Sequence, residues 1–256
     1  MSTSGRSADS MATGTDPAAS SAVPVAAESE IPGEVPGPAR RRRGRKPSVT
    51  LDQISAAALD VGFTCMTMSA VAEHLGVNHA TLYRYVDGKS DLVLRAVDRA
   101  LVDAPVDLAI SGWRELLRET ALVIWRTLAK YPGIATELSA GAMPKSMFER
   151  ANLIMERLMG MGFTSQSAIT AVEMVFDAVI GNRRNIEQVE GSIPGSTMPD
   201  RRSLEELWEP AGSTGVVGHA IRTAAHDALY DDPAERFRQK LEIILSGIAA
   251  ELAPPT

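Results

Sequence analysis

Residues 67–86 read Thr-Met-Ser-Ala-Val-Ala-Glu-His-Leu-Gly-Val-Asn-His-Ala-Thr-Leu-Tyr-Arg-Tyr-Val. In this stretch Ala72 stands four residues before Gly76. The first is small enough for a second helix to cross close by, and the second lets the turn take a positive φ. Val71, Leu75, Val77 and Leu82 are the apolar residues that would lock two helices at a steep angle, and Asn78 is placed to cap the second. The pattern is that of a helix-turn-helix, whose second helix can lie in a major groove with its N-terminal residues against base edges. An Ala and a Gly at this separation also occur in ordinary helical hairpins. Three neighbours tip the reading toward double-stranded DNA: a capped helix just before, the exposed run His79, Ala80, Thr81, Tyr83 and Arg84, and a basic cluster upstream.

Working outward, Leu51, Ile54, Ala58 and Val61 repeat at three- and four-residue spacing, with Thr50 and Gln53 as a capping box and Gly62 as the stop. The same periodicity predicts helices from Thr67 to Leu75, Asn78 to Tyr85, Lys89 to about Asp103, Trp113 to Tyr131, Pro144 to Gly160 with its Pro in the first turn, and Thr164 to about Glu190. In the Thr164 helix the apolar face is Ile169, Val172, Val175, Phe176, Val179 and Ile180. A last helix starts at Asp232 and Pro233 and runs to about Ala250, with Phe237, Leu241, Ile244 and Leu245 on one face. No alternating strand pattern competes, so the fold class is all-α. Residues 191–202 have no periodicity and read as a mobile connection.

The net charge of −6 is unevenly spread: residues 1–39 carry one base against five acids, residues 40–100 ten bases against six acids, and the rest fifteen against twenty-one. Arg40, Arg41, Arg42, Arg43, Arg45 and Lys46 supply six of the ten. The local field of that run, rather than the mean charge, decides where a phosphate backbone would dock. In Arg43-Gly44-Arg45-Lys46-Pro47 a Gly between arginines lets an extended chain lie in a narrow A·T-rich minor groove, in the manner of an AT-hook with Lys46 inserted before the Pro. The segment before it is rich in Ala, Ser, Gly and Pro, has no aromatic residue, and buries too little apolar surface to order itself. The organisation that follows is a disordered extension with a basic arm over residues 1–45, a helix-turn-helix domain over 46–101 and a helical effector-binding and dimerisation domain over 102–256.

The run Leu82-Tyr83-Arg84-Tyr85-Val86-Asp87-Gly88-Lys89-Ser90-Asp91-Leu92 resembles the DNA-binding domain of the tetracycline-repressor family of bacterial regulators, over Thr50 to about Leu101. The family's usual pattern there is Leu-Tyr-x-His-Phe-x-x-Lys-x-x-Leu, and this chain has Tyr85 for the His and Val86 for the Phe. The resemblance implies that Thr67 and Tyr83 hold phosphates, that Lys89 makes a phosphate contact at the start of the fourth helix, and that His79, Ala80, Thr81 and Arg84 face bases or backbone. Tyr85 takes the place of a contact that His makes elsewhere. The chemistry agrees in kind, since hydroxyls, Lys and helix N-termini are common phosphate ligands, whereas base choice needs side chains in the groove.

About 150 residues follow Leu101, more than a DNA reader needs. Six of the eleven methionines fall between residues 141 and 175, and Met adapts to irregular apolar shapes. Met143, Met147, Met155 and Met174 are therefore candidate lining for an unknown small-molecule effector, with ordinary helical core as the alternative for each; the resemblance also implies an effector pocket in this domain. The same resemblance makes the Thr164 and Pro233 helices a homodimer interface. His219 and His226 can share a helix face without a carboxylate at metal-ligand spacing, Cys65 is alone, and neither a nucleophile elbow nor a phosphate-cradling Gly loop occurs. Neither an enzyme nor a cofactor is expected. No uncharged apolar run reaches the roughly 18 residues a membrane span needs, so no membrane partner is expected and the chain reads as cytoplasmic. The reading is a homodimeric repressor released from a near-palindromic operator by its effector. The alternative is a ligand-independent architectural DNA-binding protein that uses the AT-hook-like arm.

Overall fold

The computed structural model describes residues 49–102, 104–191, 199–208 and 215–254. The basic arm, with Arg43, Arg45 and Lys46, and the extension before it lie outside the described residues. Among the described residues every regular element is a helix: α1 (Leu51–Val61), α2 (Met68–His74), α3 (His79–Leu82), α4 (Lys89–Val102), α5 (Trp113–Ala129), α6 (Ile134–Ser139), α7 (Lys145–Gly160), α8 (Ser165–Val189), α9 (Arg201–Leu207), α10 (Val216–Tyr230) and α11 (Pro233–Glu251).

Local chemistry sets the first elements. Thr50 Oγ1 accepts from the Gln53 amide at 3.2 Å while Gln53 Oε1 accepts from the Thr50 amide at 2.9 Å, a closed capping box, and Gly62 at φ +81° ends α1. Thr67, Asn78, Thr164 and Asp232 cap α2, α3, α8 and α11 with their side chains. Each such cap contributes about 1 kcal/mol. Pro144 is the N-cap of α7 rather than a residue of its first turn. The expected third helix is shorter: after Leu82 the chain tightens, with Arg84 and Tyr85 amides bonding three residues back to Thr81 and Leu82, so Tyr83 to Tyr85 form a turn.

One apolar core runs from Val49 to Ile248 without interruption. α1 packs on α4; α4 also touches α5, α6 and α7; and α8, about 37 Å long at 1.5 Å per residue, packs against α5, α6, α7 and α11. Trp125 ties three of these helices together. Its ring stacks on Phe237 at 5.4 Å and 9°, its indole N–H donates to Asn182 Oδ1 at 2.8 Å, and the Arg183 guanidinium lies 4.9 Å above it. Further along α8, Glu187 is buried beside the start of α6, where burial raises its carboxyl above the ordinary range against the opposing pull of Arg183 and of the Gly133, Ala135 and Thr136 amides. The turn before α6 also meets the loop after α1. Gly133 sits at φ +92°, and a Cβ there would lie 3.0 Å from Phe63 Cβ and 3.2 Å from Thr64 Cγ2.

Other parts of the sequence reading change as well. α6 follows the Pro132–Gly133 pair, which reads in sequence as the end of the helix expected from Trp113 to Tyr131: α5 already ends at Ala129 with Lys130 as its C-cap, and Gly133 in a left-handed conformation is the N-cap of a new helix. The stretch 191–202 gives way to a helix at Arg201, capped by Asp200, whose carboxylate accepts from the Ser203 amide at 2.8 Å; residues 192–198 lie outside the described residues. α10 was not anticipated, since only Gly218 and Ala225 of it are buried and no apolar stripe marks it. Leu51 and Ile169, expected on core faces, are 37% and 39% exposed.

On the outside, Arg118 of α5 grips Glu242 of α11 through two hydrogen bonds, Nε to Oε1 at 2.6 Å and Nη2 to Oε2 at 3.0 Å. These bonds hold the Glu242 carboxyl below its ordinary value. A depressed acid contributes stability above its unfolded value, near 4.3 for Glu, and loses it as pH falls through the folded value. Glu242→Gln should therefore lower stability at pH 7 by no more than about 1 kcal/mol, the pair being half-exposed and solvent-screened, and the difference from wild type should shrink from pH 7 to pH 3. Urea titrations at the two pH values check this; a difference undiminished in acid refutes it.

Candidate nucleic-acid interface and effector cavity

The turn between α2 and α3 is built by Gly76 at φ +64°, with the Val77 amide bonded to Ala72 O at 2.9 Å. Ala72 and Val71 are fully buried beneath it, and Leu82 anchors α3 from the other side. Asn78 Oδ1 accepts from the Ala80 amide at 2.9 Å, which fixes the N-terminus of α3. Everything the core does not hold then faces outward. His79, Ala80, Tyr83 and Arg84 are exposed, Thr81 is partly buried, and the His79 and Tyr83 rings meet edge to face at 6.3 Å.

Thr67 and Lys89 are exposed at the starts of α2 and α4, Thr67 Oγ1 accepting from the Ala70 amide at 3.0 Å. Tyr85 is half-buried and packs against the core, so its ring is partly spent on the fold. No carboxylate occurs from Gly76 to Val86, and among the described residues neither Arg84 nor Lys89 is engaged in an ion pair. The surface therefore offers free cations, hydroxyls and backbone amides at helix N-termini, the groups that contact a polyanionic backbone, flanking a short helix whose side chains can reach base edges.

The four candidate methionines do not share one site. Met143 is exposed before α7 and Met174 is exposed on α8. Met155, half-buried, lines an open groove with Met159 and Ile169. Met147 alone of the four reaches an enclosed cavity, bounded by Leu101 of α4, Ile124 of α5, Leu138 of α6, Met147 and Arg150 of α7, and Phe176 and Ile180 of α8. Its free space is about 10 Å³, near the room of one water molecule. Arg150 was missed in sequence, although a cation inside the Met-rich stretch is the signal that could have found it. His226 of α10 pairs with Glu205 of α9 at 3.0 Å and His219 is exposed. Among the described residues no helix is long and apolar enough to cross a membrane, and no group of three His, Cys, Asp or Glu could hold a metal.

A sequence profile described as bacterial regulatory proteins, tetR family, matches residues 49–96, and one described as tetracyclin repressor-like, C-terminal domain, matches residues 105–252. The chain is 29% identical over 153 residues to the HTH-type transcriptional repressor DrrR1 of Streptomyces coeruleorubidus, a match that spans 57% of each chain and so less than two thirds of that relative. Among solved structures, ActR of Streptomyces coelicolor in complex with actinorhodin superposes with a TM-score of 0.66 at 19% identity, over 81% of this chain and 98% of that one. A TetR variant of Acinetobacter baumannii AYE in complex with minocycline gives 0.62 at 21% identity, over 81% and 97%. Likeness at that identity is likeness of fold.

Proposed function

This chain belongs to the tetR family of bacterial regulatory proteins, and from that premise we propose that it is a homodimeric one-component transcriptional repressor that leaves a near-palindromic operator when a small molecule enters its C-terminal body. The observation that carries the reading is the α3 surface: Thr81 stands on a short helix pinned from behind by Leu82, with Arg84 on the turn that follows, flanked by Thr67, Tyr83 and Lys89, with no carboxylate from Gly76 to Val86. Dimerisation through α8 and α11 is supported by Ile243, which is 73% exposed in mid-helix, and by Gly181 and Gly247, where an added Cβ would meet nothing within 4 Å. The relative named a repressor supports repression as the output, and proteins of the same fold solved in complex with a small molecule support a ligand-accepting body. The cytoplasm, where the operator lies, is the proposed site of action.

Footprinting on the DNA beside its own gene tests this. Protection of one palindrome, with specific binding about 10³-fold or more above nonspecific, is expected; uniform coating of random duplexes would favour the architectural alternative. Within the footprint, Thr81→Ala should change base preference, whereas Lys89→Ala should weaken all sequences alike. The arm from Arg40 to Lys46 is proposed to lie along the duplex, with Arg43 and Arg45 in the flanking minor groove. Each phosphate neutralised contributes roughly 0.9 to the slope of log affinity against log salt, so deleting residues 1–46 should flatten that slope by a few units per dimer and spare the major-groove preferences. An unchanged slope would make the arm a solvated tail.

A further inference from the structure

Among the described residues, Arg150 is the one charged residue in the wall of the enclosed cavity, whose other lining side chains are all apolar. Its guanidinium extends from there to the end of α4, where Nη2 donates to Leu101 O at 2.8 Å and Nη1 donates to Ala104 O. Two more side chains of α7 reach the same neighbourhood: Ser146 Oγ donates to Asp98 on α4, and Arg157 Nη2 donates to Ile110 O at 3.2 Å. Residues 146, 150 and 157 share one face of α7, so this face fastens the end of α4 and the segment after it. Among the described residues Arg150 has no carboxylate partner. Two neutral carbonyls accept from two of its N–H groups, no carboxylate among the described residues balances its charge, and burial presses the guanidinium below its ordinary value without neutralising it.

We propose that Arg150 is the specificity-determining residue of the effector site, and that the effector is a largely apolar molecule carrying an ionised acidic group, whose anion takes the guanidinium from the Leu101 and Ala104 carbonyls. The inference rests on the effector-responsive reading of the body and names the ligand class it takes. An anion takes the guanidinium in a two-bond fork and adds an ion–ion attraction that a neutral carbonyl cannot supply, so the exchange favours an anion over a neutral molecule of equal shape. With about 10 Å³ free, an aromatic ring enters only if α7 shifts from α4. That shift withdraws the fastening at one end of a helix whose other end presents Lys89 to DNA.

The test uses two probes of nearly the same skeleton, 8-anilinonaphthalene-1-sulfonate and the neutral N-phenyl-1-naphthylamine, titrated into the full chain by fluorescence. Wild type should bind the sulfonate saturably, one per chain, about tenfold tighter than the neutral probe. Arg150→Met, which keeps the stem, should erase that preference and leave the neutral affinity within about twofold, while Arg150→Lys retains part of it. Met147→Trp should weaken both probes together by filling the cavity. Asp103, in sequence between the two carbonyls and outside the described residues, is the control: Asp103→Asn should keep or widen the preference. If Arg150→Met melts below the working temperature, Arg150→Gln replaces it.

No saturable sulfonate site in wild type, an unchanged preference in Arg150→Met, or a Met147→Trp that spares both probes would each overturn the assignment. Footprinting of the same proteins separates the two claims. A footprint with an unchanged probe preference refutes the role of Arg150 and leaves the repressor reading standing, whereas no footprint in wild type refutes the repressor reading whatever the probes do.

Discussion

Leu82→Ala should abolish sequence-specific DNA binding while the C-terminal body stays folded. α3 is four residues long, far below the roughly 12–15 at which a helix is even marginal on its own, and Leu82 is the only one of them that is buried. It is 0% exposed and packs with Val71, Ala72 and Val86 in the core. Truncating such a side chain costs about 2–5 kcal/mol, and here the loss falls on the helix that carries Thr81 and on the turn after it that carries Arg84. A loss of about 2.7 kcal/mol of preorganisation alone corresponds to about 100-fold in affinity. Fluorescence anisotropy with the footprinted duplex, beside a thermal melt, checks both halves; retained affinity within about threefold of wild type would show that Leu82 does not hold the reading helix.

Phe237→Ala should be the most destabilising single change in the body. Phe237 is 1% exposed, lies flat on Trp125, and begins the buried face of α11 that continues through Leu241, Leu245 and Ile248. Phe→Ala in a core costs about 3–5 kcal/mol, a large share of the roughly 5–15 kcal/mol that holds a typical domain. Trp125 would lose its stacking partner while keeping its bond to Asn182, so α11 rather than α5 should loosen. With α11 in the proposed dimer interface, the variant should also dissociate at concentrations where wild type is dimeric. Calorimetry and sedimentation velocity read the two effects, and a loss below about 1 kcal/mol would refute the first.

What was legible in the sequence was chemistry that acts within a few residues. The Thr50–Gln53 box, the Thr67, Asn78, Thr164 and Asp232 caps and the Gly76 turn are each complete within one helical turn, so the starts of α1, α2, α3, α8 and α11 follow from local pattern, and α4 and α5 from apolar periodicity alone. The same holds for the exposed residues of α3, because an outward face is what remains once Leu82 is assigned inward. α6, α9 and α10 were illegible for the opposite reason. α6 starts where a Pro–Gly pair signals an end, and α9 and α10 bury almost nothing, their ties being polar contacts made across the chain, such as Glu205 with His226 and Tyr230. The cavity was illegible as well, since its walls come from five helices and only Met147 of the four candidate methionines lies on it.

The close approach of Gly133 to Phe63 and Thr64 bears on how such proteins can be recombined. Exchanging reading heads between relatives by cutting the chain after α4 treats the peptide linkage as the boundary, yet the seam that must match is this noncovalent one. A foreign head brings its own side chains and loop path to positions 63 and 64, and the turn at 133 fits there only without a side chain, since a Cβ would lie 3.0 Å from Phe63 Cβ and 3.2 Å from Thr64 Cγ2. Chimeras that carry residues 131–134 along with the head should keep both folding and response, whereas those joined at the linkage alone would inherit a mismatch far along the sequence from the splice.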